Sequence, residues 1–438
     1  MEIYDGGGFS FISLMRGLFG LVILIGLAWV FSSNRRAISW RIVGLGLLFQ
    51  LIIAIAVLKV PFIKSFFELL GMMFIKILDF TKSGSEFVFG DLMDVESFGV
   101  IFAFQILPTI IFFSALTSIL FYFGIIQKIV YILAWLLTKG LRISGAESLS
   151  TAGNIFLGMT ESPLLIKEYL EKMNRSEMFL VMVGGMATIA GSVLGIYIGI
   201  LGGAEYEGQL MFAKHLITAS VMAAPGAVVI AKILLPQTEP ITSGISISRE
   251  QVGANVLESI ANGTTQGIKL AVNVGAMLIV FIALVFMVNF ILFKIGDWTT
   301  LNEGIAVLTQ NRYEGLSLQF IMGYTMAPLT WAMGVPAQDI ATVGQLMGEK
   351  IIMNEMVAYF SFGDLLAAGT FQDSKSVIMA TYMLCGFANI SSIGIIIGGI
   401  GALAPGKRVL LSQLGFKALL GGAMASLLSA TLVGMILG

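Results

Sequence analysis

Long apolar runs, nearly free of charge, recur along this chain and set its architecture. About 20 residues of helix cross roughly 30 Å of hydrocarbon, so each run predicts a spanning helix. The runs are continuous rather than alternating, which favours helices over a β-barrel. About eight spans are predicted, over residues 9–29, 42–60, 99–123, 178–201, 211–235, 268–293, 377–400 and 409–437. Arg16 is an internal charge in the first span, and Pro61 stops the second. Residues 62–98 open with an amphipathic stretch, FIKSFFELLGMMFIKIL, predicted to lie in the interface, and continue as an acidic loop. Residues 125–142 predict a basic interfacial helix. The segment 236–248, PQTEPITSGISIS, reads as a linker, and an amphipathic helix is predicted over 250–262. Residues 144–173 and 317–365 are too polar and too interrupted to cross. Both are predicted as re-entrant hairpins, which survive at membrane depth only where protein or water surrounds them.

A faint internal repeat organises these elements. GGMATIAGSVLGIYIGILG (184–202) is similar to CGFANISSIGIIIGGIG (385–401), and each follows a hairpin that carries a glutamate. The predicted topology runs the first of these helices outward and the second inward. The fold class is therefore an all-α polytopic membrane protein of about eight transmembrane helices and two re-entrant hairpins, an inverted repeat with broken helices. Four regions are predicted: N-terminal helices over 1–98, a first repeat over 99–235, a linker with interfacial and scaffold helices over 236–293, and a second repeat over 294–438.

Composition sharpens this reading. The chain is 57% hydrophobic and 12% charged, with mean hydropathy +0.94. A net charge of −1 gives no reason to expect a nucleic-acid partner. One cysteine, Cys385, excludes an internal disulfide, and one histidine, His215, excludes paired-His metal sites. His215 falls near a predicted span end and is expected at the interface. The acidic start, MEIYDGGG, is unlike a signal peptide. Basic clusters at Arg35/Arg36/Arg41, Lys128/Lys139/Arg142 and Lys407/Arg408/Lys417 fall on one side of the predicted topology. Basic loops favour the cytoplasm, so both termini are expected outside it.

Two acids stand where acids are expensive. Glu161 lies in GNIFLGMTESPLL and Glu355 in GEKIIMNEMVAY, each inside a broken apolar stretch. A charge at membrane depth costs roughly 2.5–3.5 kcal/mol even on insertion scales, and such groups are kept where a solute or ion uses them. Glu161 clusters with Thr160 and Asn154, while Gly158 and Pro163 break the helix. Pairing with Lys167 is the structural alternative for Glu161, and pairing with Lys350 is the alternative for Glu355. A buried carboxylate accepts strongly from hydroxyl groups, which suits a polyhydroxylated solute. Asn389, Ser391 and Ser392 interrupt the seventh span and add donors and acceptors, or serve as glue between helices. Thr188 and Asn154 offer hard oxygens to a cation. Phe387 suits either a pocket wall or plain packing.

At these motifs the chain resembles the concentrative nucleoside transporter family. GNIFLGMTESPL, GGMATIAGSV, ANVLESIANGTTQGIKLAVNVGAM, GEKIIMNEMVAY and CGFANISSIGI carry the resemblance, in family order, over about residues 100–405. The resemblance implies a homotrimer whose mobile transport domain moves elevator-fashion against a scaffold in the bacterial cytoplasmic (inner) membrane. It implies that Glu355, Asn389 and Ser392 hold the ribose, and that Gly158, Met159, Thr160 and Glu161 face the base with Val193 and Phe387 nearby. It implies a sodium site at Asn154, Leu157, Thr188 and Ile189, partly through backbone oxygens. Where the family usually reads Gly-Gln-Thr-Glu, Met159 replaces the glutamine, and base selectivity is expected to relax toward purines. Thr188 replaces a serine and keeps the hydroxyl. The expected function is nucleoside uptake by cation symport in the lipid bilayer, with Na⁺ as the coupling ion, or alternatively H⁺, and no other cofactor. An intramembrane enzyme using Glu161 and Glu355, or an ion-gated channel, are the remaining classes; no GxSxG elbow supports the former.

Overall fold

A computed structural model of the chain describes residues 10–98, 101–203, 205–241 and 253–437. The acidic N-terminus, most of the predicted linker (242–248) and residues 250–252 lie outside the described residues. Two full spans, α1 (Phe11–Val30) and α2 (Trp40–Lys59), precede α3 (Pro61–Phe89), which starts on its proline. Short helices α4 (Val95–Phe98) and α5 (Phe102–Gln105) lead to α6 (Leu107–Tyr122) and α7 (Ile125–Leu141). Next come a first hairpin of α8 (Gly145–Gly153) and α9 (Lys167–Leu170), a broken helix of α10 (Arg175–Ala187) and α11 (Gly191–Gly202), and α12 (Tyr206–Leu234). The second half holds α13 (Val256–Trp298), α14 (Leu301–Leu308), α15 (Leu318–Ala332), α16 (Ile340–Ile352) and α17 (Glu355–Ala367). A second broken helix, α18 (Ser374–Leu384) and α19 (Ile390–Leu403), and then α20 (Arg408–Ile436) complete it.

Side-chain bonds fix which elements share an end of the molecule. Ser33 N–H donates to Leu234 O (2.9 Å), Lys417 Nζ to Ser33 Oγ (2.5 Å) and Lys407 Nζ to Met173 O (2.8 Å). Ser176 Oγ donates to Leu235 O (2.8 Å), and buried Lys232 pairs with Glu147 of α8. All three basic clusters thus gather at one end. At the other end Lys375 Nζ donates to Ser13 Oγ (2.8 Å) and Arg16 to Val335 O (2.9 Å). There Gly17 also lies against Met435, so the two ends of the described chain are neighbours. α10 therefore starts at the basic end and α18 at the opposite one. The two broken helices run in opposite directions, as an inverted repeat requires.

Seven helical runs among the described residues are long and apolar enough to span; the seventh predicted span, read as a broken helix, is the pair α18 and α19. Several sequence expectations need correction. α3 continues to Phe89, through residues expected in the acidic loop. Lys76–Asp79 (3.5 Å) and Lys82–Glu86 (3.9 Å) lie one turn apart, a spacing that supports helix. Among the described residues, 256–262 form no separate helix but open α13, one helix of 43 residues. Its glycines do not break it; they let it press on α6. A methyl on Gly263 would sit 2.5 Å from Ser118 Oγ, and Ser114 Oγ donates to Gly263 O (2.8 Å). The stretch 317–365 holds three helices rather than one hairpin. α15 packs on α16 as α7 packs on α8, and the hairpin itself is α16–α17, with its tip at Met353–Asn354. His215 is buried within α12, not interfacial; its Nδ1 lies 3.3 Å from Tyr382 OH.

Candidate functional site

The two helix breaks meet at the centre of the molecule. Thr188 ends α10 in extended geometry without a side-chain cap, and its carbonyl accepts from Phe387 N–H (3.3 Å). Gly386 makes this crossing possible. Its φ of +134° is closed to most side chains, and a methyl there would sit 2.7 Å from Ala187 O. The first turns of α11, α17 and α19 all open onto the space beside this crossing. Their positive helix ends favour an anion or a polar solute.

Glu355 occupies the first position of α17, after the N-cap Asn354, whose Oδ1 accepts from Val357 N–H (2.9 Å). Its carboxylate accepts from Asn389 Nδ2 (2.6 Å) and, more weakly, from Tyr197 OH (3.4 Å). Asn389 caps α19, and its Oδ1 accepts from Ser391 Oγ (2.6 Å), Ser392 N–H (2.9 Å) and Ser392 Oγ (3.1 Å). The ring of Tyr197 stacks on Tyr359 at 3.8 Å and holds its hydroxyl in place. Lys350 does not pair with Glu355. Its ammonium donates to Met383 O (2.8 Å) and Ser426 Oγ (3.2 Å).

The tip of the first hairpin lies on the other side. Gly158 N–H donates to Glu161 Oε2 (3.2 Å), which folds the tip around its own acid. Met159 packs against Gly185 of α10, and Thr160 against Gly399 of α19. Between the two hairpins is a cavity of about 290 Å³. The hairpin tip contributes Gly158, Met159, Thr160 and Glu161 to it, and α11 contributes Val193. Glu355, Asn389 and Ser392 form a polar wall opposite, with Phe387 beside them. The nine residues singled out for the solute thus border one space.

The four residues singled out for a cation gather behind the hairpin tip. Asn154, Leu157, Thr188 and Ile189 are all buried. Neither polar atom of the Asn154 side chain has a hydrogen-bond partner, nor does Thr151 Oγ1, and Gly184 adjoins both side chains. Thr188 Oγ1 donates to Gly184 O (2.9 Å), which leaves its lone pairs available. Orphaned buried oxygens of this kind are costly, and an alkali cation would satisfy them. Thr151 was not legible as part of this cluster, because Ser and Thr recur throughout α8.

Residues 215–434 match the family described as the Na⁺-dependent nucleoside transporter C-terminus. Residues 19–92 match its N-terminus, and 103–204 match a family described as nucleoside recognition. The chain belongs to the concentrative nucleoside transporter family. It is 36% identical to the nucleoside permease NupC of Helicobacter pylori, over 97% of this chain and 98% of that one. It is 37% identical to sodium/nucleoside cotransporter 1 of Rattus norvegicus, over 95% of this chain and 63% of the rat protein. The structure of CNTnw in an inward-facing, substrate-bound state superposes with a TM-score of 0.88 at 35% identity, covering 97% of this chain and 99% of that one. An outward-facing variant of CNTnw matches almost equally, at 0.87. Its families and relatives are transporters, and this chain is a multi-pass membrane transporter of nucleosides rather than an enzyme.

Two contributors to the transporter's site were not anticipated. α13 supplies a whole wall, from Leu270 through Asn273 and Met277; Asn273 in the otherwise apolar stretch 270–288 was the available signal. Tyr197 was missed because it sits in a Gly-rich apolar run and reads as lipid-facing. Tyr197→Phe removes one donor from Glu355 and keeps the stacked ring. It is expected to weaken nucleoside binding a few-fold, on the order of 1 kcal/mol, measured by titration of the purified protein. Unchanged affinity would show that the 3.4 Å contact contributes nothing.

Proposed function

We propose that this transporter accumulates nucleosides by sodium symport, with elevator-type alternating access. Glu355, Asn389 and Ser392 bind the ribose hydroxyls, and the Gly158–Glu161 tip meets the base with Val193 and Phe387. The observation that carries this reading is the Glu355–Asn389 bond at 2.6 Å on the wall of a cavity that also contains Glu161. A carboxylate and an amide held this rigidly are ready to accept from and donate to vicinal hydroxyls. Asn154 and Thr188, with backbone oxygens of Leu157 and Ile189, would hold the sodium ion, which contributes its share of the electrochemical gradient. One charge through 100 mV yields about 2.3 kcal/mol, and a tenfold ion gradient adds about 1.4. Asn154 and Glu161 belong to one hairpin, so an ion that orders its tip also orders the wall that meets the base.

The remaining assignments follow. The gathered basic clusters support a cytoplasmic position for that end and an extracytoplasmic one for both termini, in a bacterial inner membrane. Only 6% of the residues in the spanning window of α13 are buried, and a homotrimer built on this helix would cover part of its exposed apolar surface. The regions 1–98, 99–235, 236–293 and 294–438 divide into scaffold and moving repeats. Met159 offers a thioether where an amide would fix the base edge, so purine and pyrimidine nucleosides are expected to compete comparably.

Counterflow of radiolabelled adenosine and uridine in proteoliposomes, with and without Na⁺, tests the reading. Saturable uptake that requires Na⁺, competed by both base classes, is expected. Uptake that ignores Na⁺ but collapses with a proton uncoupler would make the protein a proton symporter. A strict uridine and cytidine preference would sink the role given to Met159.

A further inference from the structure

Beside the binding cavity lies a smaller one of about 90 Å³. Ser114, Thr117 and Ser118 of α6 and Gln266 of α13 line it, together with Ser192 and Glu161. Glu161 and Ser192 also line the larger cavity, so the two spaces share a wall of one carboxylate and one hydroxyl. α13 borders both. Gln266, Leu270, Asn273 and Met277 follow one another at helical spacing and therefore lie on a single face. Gln266 opens on the smaller cavity and Asn273 on the larger. Seven residues separate these two amides, about 10.5 Å along the helix axis. Asn273 stands in the apolar stretch 270–288 and carries a desolvation cost unless a polar solute or water meets it, whereas Gln266 belongs to the more polar turns before it, with Thr264, Thr265 and Lys269.

We propose that the smaller cavity is a transit subsite for the base of the nucleoside, occupied as the solute leaves the Glu355–Asn389 site. This inference rests on the nucleoside reading above. With the ribose at Glu355 and Asn389, the base lies toward Glu161 and is the part next to the smaller cavity. The lining suits a base edge of either class, because hydroxyls and an amide can each donate and accept. The space is too small for a whole nucleoside in this conformation, so the base enters first and the ribose stays bound. As the solute advances, polar contact passes along α13 from Asn273 to Gln266, with Glu161 bordering both positions.

The test separates transit from binding. In the double variant Gln266→Leu, Thr117→Val, the maximal uptake rate of uridine into proteoliposomes is expected to fall about tenfold, ~1.4 kcal/mol. The equilibrium Kd of the purified protein should stay within about twofold of the native value. Thr117→Ser, which keeps the hydroxyl, should transport normally. A second probe acts after folding. Thr117→Cys is modified with a small methanethiosulfonate; the native thiol of Cys385 is buried, and native protein treated in the same way is the control. Modification should block uptake while uridine binding persists. Undiminished uptake after both treatments overturns the transit subsite, as does a parallel loss of binding and rate. Native protein that binds no nucleoside overturns the parent reading instead, and this one with it.

Discussion

Glu355→Gln is expected to weaken nucleoside binding roughly 10- to 150-fold, the equivalent of about 1.5–3 kcal/mol for a hydrogen bond to a charged group. The fold should survive. Glutamine is nearly isosteric, and its carbonyl oxygen can still accept from Asn389 Nδ2, which reaches Glu355 at 2.6 Å. Asn389 keeps its own bonds to Ser391 and Ser392, so the cap on α19 persists. What disappears is the anionic acceptor, and half of its hydrogen-bonding surface becomes a donor. A ribose hydroxyl that donated to Glu355 then faces an NH₂ group. Titration of purified protein with uridine, with thermal unfolding as the control, gives the readout. A Kd within about twofold of native would remove Glu355 from the solute site.

Polarity in the wrong solvent made much of this site legible. Glu161, Glu355 and Asn389 announce themselves because each interrupts an apolar run, where a polar group must have a partner. The same contrast located both helix breaks, since Gly-rich runs following a polar pair cannot continue one straight span. What escaped notice has the opposite character. Tyr197 and the α13 wall belong to apolar segments, and only three-dimensional packing brings the tyrosine to Glu355 and turns the wall toward the cavity. The continuity of α13 was hidden because glycine reads as a breaker in sequence, whereas Gly263 and Gly267 serve close approach to α6. The boundary between α15 and α16 was hidden because the Gly334–Pro336 turn is short and its flanks are apolar. Burial of His215 depended on where α12 begins. The helix starts at Tyr206 rather than 211, which carries the ring more than a turn deeper.

The inverted repeat explains why the site is central. Two broken helices that run in opposite directions present their breaks at the same depth, and the Thr188–Phe387 bond ties the breaks together. Each hairpin tip then docks beside a break: the first at Met159 against Gly185, the second at Glu355 against Asn389. Solute and ion positions are consequently neighbours, because Asn154 and Glu161 frame one tip and Thr188 belongs to the break beneath it.

Asn154→Leu tests that neighbourhood most directly. Asn154 is buried, and neither end of its amide has a protein partner. Were its role purely structural, replacement by an apolar side chain of similar size would be nearly neutral or stabilising without ion. An ion-binding role predicts the same thermal stability without Na⁺ but a lost response to it. Native protein should bind nucleoside more tightly when saturated with Na⁺, by a factor on the order of 5–150 for typical coupling free energies. In Asn154→Leu that factor is expected to fall to about one, and Na⁺ should no longer raise the melting temperature. Reciprocity supplies an internal check, because uridine should then also lose its effect on Na⁺ binding. A variant whose nucleoside affinity still rises with Na⁺ as in the native protein would move the coupling ion away from the first hairpin altogether.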